Sequence, residues 1–238
     1  MKIIETMKTM QTMKKIGIFG GTFNPVHIGH EKTAVDFYKK FDLSKLIVIP
    51  SNIPPHKQSD DIMAVISPEQ RLEMCKIGFD SVNCLYREYN IEVSDIEIKK
   101  DGVSYSYDTI DALRHIYDGD LLYFLIGSDM FLYLKKWHRY RELMEMCTFV
   151  VAFRYNRYNR HNNYNSCNKN NQEYGEVMQM YDSLTDDGYK VELLDNIPLE
   201  ISSTDLREMI SAKDPDVVNF ISPEVLNYIK ERKIYVLQ

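Results

Sequence analysis

Lys15-Ile16-Gly17-Ile18-Phe19-Gly20-Gly21-Thr22-Phe23-Asn24-Pro25-Val26-His27-Ile28-Gly29-His30 joins a short apolar, β-branched run to a segment, Glu31 to Phe41, of helix-forming residues with apolar spacing. The first reads as a buried strand and the second as a helix, so the glycines stand at the strand's end. There Gly20 and Gly21 let the backbone take φ > 0 and approach a ligand closely, while the first free N–H groups of the helix attract anions. His27 and His30 are three apart. In a first helical turn that spacing puts both imidazoles on one side, where their N–H donors reach phosphate oxygens and become more cationic as negative charge gathers. A tight turn with a capping or packing histidine is the plainer reading of either histidine alone. Two histidines after two glycines favour phosphate handling, and with it nucleotide chemistry. Zinc needs more ligands than this, and none of Cys75, Cys84, Cys147 and Cys167 lies in metal-ligand spacing nearby, so no protein-held metal is assigned.

Around that turn the chain has 238 residues, 44% hydrophobic and 27% charged, enough for one substantial core and one catalytic domain. A net charge of −6 argues against a sequence-independent nucleic-acid binder, which needs a basic face. Four cysteines without paired spacing suit free thiols in a reducing, cytoplasmic setting, and no apolar run is long enough to span a membrane. Residues 1–14 lack a continuous apolar stretch and read as a disordered extension or an upstream-start artefact, ahead of a single domain over 15–238.

Strand candidates recur at 15–20, 45–50, 91–98, 121–127, 148–153 and 189–194, mostly with helical patterns between them. That alternation predicts an α/β fold, a Rossmann-like parallel sheet with helices on both faces and ligands at the strands' carboxyl ends. Leu121 to Ile126 is apolar at every position, as a central strand covered on both sides requires. Ser67-Pro68-Glu69-Gln70 has a capping hydroxyl, a proline at the first helical position and a glutamine three after the cap, which predicts a helix to about Gly78. Ser222-Pro223-Glu224 predicts another in the same way. The stretch at about 154–172, rich in asparagine, tyrosine and arginine, reads as a low-complexity insertion and a mobile surface loop.

Ile201-Ser202-Ser203-Thr204-Asp205-Leu206-Arg207 sets hydroxyls at a helix start and an arginine one turn on, a second anion-binding pattern. Its competing reading is a serine N-cap with a solvated arginine. In Asn52-Ile53-Pro54-Pro55-His56-Lys57 two prolines stiffen a loop that presents an ammonium after the second strand. Gly127-Ser128-Asp129 ends the central strand with a carboxylate able to accept from ribose hydroxyls or to cap a helix. Trp137, the sole tryptophan, follows two lysines and so lies near the surface.

These elements together resemble the nucleotidylyltransferase superfamily, through its (G)GTFDPxHxGH and ISSTxxR motifs, and specifically the bacterial-type nicotinate mononucleotide adenylyltransferases. PPHK at 54–57, Ser104-Tyr105-Ser106-Tyr107-Asp108-Thr109 beside SYTxDT, the GxD of Gly127 to Asp129 and Trp137 extend the likeness over about 15–237. Two positions depart from the pattern: Asn24 stands for aspartate and Ser106 for threonine. The resemblance implies that Gly20, Gly21, Thr22, Phe23, His30, Asp129, Ser202, Ser203, Thr204 and Arg207 bind ATP. It implies that Asn24, Lys57, Ser106, Thr109 and Trp137 bind the mononucleotide, with Trp137 against the pyridine ring. His27, His30, Lys57 and Arg207 then carry catalysis. The implied reaction joins ATP and nicotinate mononucleotide into deamido-NAD and pyrophosphate, with Mg2+ arriving on ATP. Alternatives are nicotinamide mononucleotide as acceptor, or a nucleotide-binding module without turnover, for which Asn24 is the only hint. Oligomeric state is not readable.

Overall fold

Six strands, Lys15–Gly21 (β1), Lys45–Pro50 (β2), Ile91–Val93 (β3), Leu121–Gly127 (β4), Thr148–Ala152 (β5) and Val191–Leu194 (β6), form one sheet in the order β3-β2-β1-β4-β5-β6. Every pairing is parallel, with Ile18 opposite Ile47 on one side of β1 and opposite Phe124 on the other. The computed structural model describes residues 13–53, 66–100, 102–153, 172–197, 199 and 201–235. Residues 1–12, Lys57 and 154–171 of the expected insertion lie outside the described residues.

Because side chains alternate across a strand, the sheet feeds two cores. Ile16, Ile18, Ile47, Ile49, Leu122, Phe124, Ile126, Phe149 and Val151 pack under helices Ser106–Ile116 (α3), Ser128–Leu132 (α4), Tyr140–Met146 (α5) and Gln172–Asp186 (α6). Phe19, Leu46, Val48, Leu125, Val150 and Ala152 pack on the other face, under Ile28–Phe41 (α1), Pro68–Leu85 (α2), Ser203–Ser211 (α7) and Pro223–Glu231 (α8). Both faces of the central strands are therefore covered, which is why β4 is apolar throughout. At Gly17 a Cβ would stand 2.4 Å from Leu43 Cδ1 and 3.0 Å from Phe37 Cε1, so the glycine is what lets α1 lie close on β1.

Three expectations are corrected. β3 ends at Val93 instead of running to 98: the Ser94 hydroxyl accepts from the Ile96 N–H and turns the chain out of the sheet. α2 continues past Gly78 to Leu85, because this glycine is a packing position, its missing Cβ leaving room for Glu31 and Val26, and not a helix stop. The capping box at its start is present, with Ser67 Oγ accepting from Gln70 N–H and Gln70 Oε1 from Ser67 N–H. At α8, by contrast, Ser222 makes no side-chain cap bond.

The strand order reverses between β1 and β4, and in open α/β sheets the crevice beyond the carboxyl ends at such a switch point is where ligands bind. Gly20 and Gly21 at the end of β1, and Gly127 to Asp129 at the end of β4, border it.

Candidate active site

The turn between β1 and α1 is built on aromatic packing, not on left-handed glycines. Gly20 and Gly21 stay in the strand, and the positive φ falls on Phe23, at 49°. The Phe23 ring lies edge-on to Phe19 and His30, at 5.3 and 5.0 Å between centroids, and covers Gly21, where a Cβ would come within 2.9 Å of it. The chain then passes through a cis Asn24–Pro25 bond into His27.

His27 is the N-cap of α1. Its Nδ1 accepts from the Gly29 N–H at 3.1 Å, which leaves Nε2 to carry the ring's proton and act as donor. A Cβ on Gly29 would sit 2.9 Å from that ring, so the glycine between the histidines is what allows His27 to fold over the helix start. His30 lies beside it, ring centroids 3.8 Å apart and tilted by 39°. The imidazoles meet as expected, but not through a shared helical turn, since His27 is extended and precedes the helix. His27 is also the capping residue of the plainer reading.

α7 brings the second motif to the same turn. Ser203 Oγ donates to the Pro25 carbonyl at 2.9 Å, and Arg207 Nη1 donates to the Asn24 carbonyl at 2.7 Å and Nη2 to Thr204 Oγ1 at 3.0 Å. Ser202 is occupied as the N-cap of α7, in a reciprocal box with Asp205. Two helix N-termini, 175 residues apart from Ile28 to Ser203, thus converge on Asn24 and Pro25 and bring His27, His30 and Arg207 together, with the first N–H groups of α1 already bonded, Ile28 to the Phe220 carbonyl and Gly29 and His30 to His27. Burial pulls the Arg207 guanidinium below its usual value, but an arginine remains a cation at any physiological pH.

Asn24 is turned inward. Its side chain is 4% exposed, and Oδ1 accepts a 2.5 Å hydrogen bond from the Tyr235 hydroxyl. Burial pushes the Tyr235 phenol far above its usual range, so it remains a donor here. Neither this tyrosine nor Arg71, which bonds the Thr22 carbonyl from α2, was found from sequence; the only signal was an arginine on the apolar stripe of α2, in register with Cys75, Gly78 and Val82.

The remaining candidates lie at the carboxyl ends of the strands or beneath them. Asp129 is exposed in the first turn of α4, while neighbouring Ser128 donates to Glu173. Ser106 opens α3 half-buried, whereas Thr109 is 8% exposed and donates to Glu97 Oε1 at 2.8 Å, so it braces the loop before α3 more than it faces the crevice. Burial holds the Glu97 carboxyl above its usual value. Trp137 is half-buried against Phe124, and the rings of Tyr105 and His138 lie 4.6 Å apart, tilted by 38°. Among the described residues no three His, Cys, Asp or Glu side chains form a metal cluster, and no helix is long and apolar enough to cross a membrane.

The cytidylyltransferase-like family model matches residues 18–209. A nicotinate-nucleotide adenylyltransferase of Bacillus subtilis is 31% identical over 230 residues, 94% of this chain and 99% of that protein. A protein of Oceanobacillus iheyensis named as a probable nicotinate-nucleotide adenylyltransferase is 32% identical over 224 residues, covering 94% of this chain and 97% of its own. Among solved structures, the nicotinic acid mononucleotide adenylyltransferase of Plasmodium falciparum complexed with NaAD has a TM-score of 0.67 at 17% identity, over 93% of this chain and 97% of that one, a likeness of fold.

Proposed function

This chain belongs to the cytidylyltransferase-like family, alongside nicotinate-nucleotide adenylyltransferases, and from that membership we propose that it transfers the adenylyl group of ATP to nicotinate mononucleotide, giving deamido-NAD and pyrophosphate. The observation that carries the reading is the meeting of the α1 and α7 N-termini, with His27, His30 and Arg207, at the switch point of the sheet.

The mononucleotide's 5′-phosphate is already an anionic nucleophile. One of its oxygens forms a bond to the α-phosphorus of ATP as the bond from that phosphorus to the bridging oxygen of pyrophosphate breaks, and the electron pair leaves with pyrophosphate. No proton has to be removed, so catalysis rests on alignment and on neutralising charge. His27 Nε2–H and His30 suit the α-phosphate. Arg207 and the N–H groups of α7 suit the leaving pyrophosphate, with Ser203 and Thr204 beside them. Lys57 is assigned to the same task. Magnesium would arrive with ATP, held by phosphate oxygens and water. Asp129 suits the ribose, and Trp137 with Ser106 the pyridine side. We place the reaction in the cytoplasm, in keeping with the buried free thiols of Cys75 and Cys147.

Incubation with ATP, magnesium and nicotinate mononucleotide, followed by mass analysis, is expected to give deamido-NAD and pyrophosphate in equal amounts. Pyrophosphate is expected to exchange into ATP only when the dinucleotide is present; exchange with ATP alone would mean an enzyme-bound adenylyl group and overturn the direct attack.

A further inference from the structure

Among the described residues Arg71 is the only Asp, Glu, Lys or Arg side chain that is buried, with no exposed surface at all. It stands in the first turn of α2 and reaches across the carboxyl edge of the sheet. Nη1 donates to the Thr22 carbonyl at 2.8 Å; Nη2 donates to the carbonyls of Ser51 at 2.7 Å and Asn52 at 3.0 Å. Thr22 follows β1 and leads into the histidines. Ser51 and Asn52 follow β2, and Asn52 is tied onward through its N–H to the Ser104 hydroxyl. One guanidinium therefore fixes the two loops on which the phosphate chemistry is placed. Arg207 grips the same turn two residues along, at the Asn24 carbonyl.

Among the described residues all the hydrogen-bond partners of Arg71 are neutral. Among the described residues no carboxylate lies within ion-pair distance of it, and Nε has no hydrogen-bond partner. Carbonyl dipoles and the more distant carboxylates of Glu69 and Glu97 offset part of the cost of burying a cation, and an anion brought close would offset more. A planar fork suits this task in a way that lysine cannot copy, because it holds two strands' loops at once while keeping its charge.

We propose that Arg71 is a positioning residue for adenylyl transfer, which locks the loops after β1 and β2 in place and whose buried charge is completed by the phosphates of the bound nucleotide instead of by a carboxylate of the chain. The inference rests on the reading of the turn as a phosphate site. It separates the two roles of the side chain: clamping needs the fork, and attraction needs only the charge.

The test uses the full chain, with inorganic pyrophosphate as the probe in calorimetry and steady-state kinetics beside it. R71Q and R71M, which remove the charge, are expected to bind pyrophosphate at least ten-fold more weakly than wild type. R71K keeps the charge and loses the fork, so its pyrophosphate Kd is expected within three-fold of wild type while kcat falls at least ten-fold. Equal affinity in R71Q and wild type, or R71K binding as weakly as R71Q, overturns the charge role; an R71K kcat within two-fold of wild type overturns the clamp. Should neither neutral variant fold, hydrogen exchange on wild type takes their place, where pyrophosphate is expected to slow exchange in both loops, at 22–24 and 51–53, and unchanged exchange overturns the proposal. A wild type that neither binds pyrophosphate nor turns over ATP contradicts the functional reading itself, a different result from any of these.

Discussion

Replacing Glu31 by glutamine is expected to stabilise the protein above neutral pH and to do far less at pH 5. Glu31 sits in the first turn of α1, and its Oε1, buried and without a hydrogen-bond partner among the described residues, lies 3.0 Å from where a Cβ on Gly78 would stand. Burial is the larger cause, and the like charge of Glu224 the smaller, of a carboxyl pKa raised from 4.5 to about 7. The favourable field of a helix N-terminus, roughly 0.3–1 kcal/mol, is too small to reverse this. With the folded pKa above the unfolded one, the native state binds the extra proton, so stability falls as pH rises from about 4.5 through about 7. A gap of that size converts to about 3 kcal/mol of lost stability once the group is ionised in both states. Glutamine keeps the shape and never ionises. Urea denaturation of both proteins at pH 5 and pH 8 is therefore expected to give E31Q a gain of under about 1 kcal/mol at pH 5 and of about 3 kcal/mol at pH 8, the latter roughly 6–12 °C in Tm. The reasoning fails if the gain is the same at both pH values, or if E31Q is the less stable protein at pH 8.

Three further substitutions probe the site and its support. Gly29→Ala puts a Cβ 2.9 Å from the His27 ring, and should lower kcat/KM at least about ten-fold with little change in Tm, measured by pyrophosphate release and calorimetry. His30→Ala and Arg207→Ala should each lower kcat by roughly 10²–10³ while circular dichroism stays that of wild type. Gly17→Ala drives a methyl into Leu43 at 2.4 Å and should destabilise the domain by about 1–3 kcal/mol in denaturant titration, with kcat kept in the folded fraction.

Much of this was legible from local pattern. The six strands, their parallel class and the helix starts at Ser67 and Ser222 follow from periodicity and capping, whereas the two histidines meet with His27 in extended backbone just outside the helix, folded over its start by the bond from the Gly29 N–H. The errors arise where a long-range neighbour decides. Gly78 looks like a stop until Glu31 is packed against it, and the glycines at the end of β1 look like a left-handed turn until Phe23 is seen to take the positive φ and lay its ring over Gly21. Arg71 meets Thr22 across 49 residues and Tyr235 meets Asn24 across 211, separations at which a sequence pattern carries no geometry. Asn24 is instructive in the same way. Read as a departure from an aspartate, it says that a charge is missing; in the folded chain it is the acceptor for a buried phenol beside two guanidiniums.

The central claim is that the joined N-termini of α1 and α7 serve adenylyl transfer to an acidic pyridine mononucleotide. Purified protein with ATP and magnesium, given nicotinate mononucleotide in one series and nicotinamide mononucleotide in another, tests it through the rate of pyrophosphate release. A higher kcat/KM with the acid is the predicted result; a higher value with the amide would keep the chemistry and change the substrate, and no release with either would contradict the account.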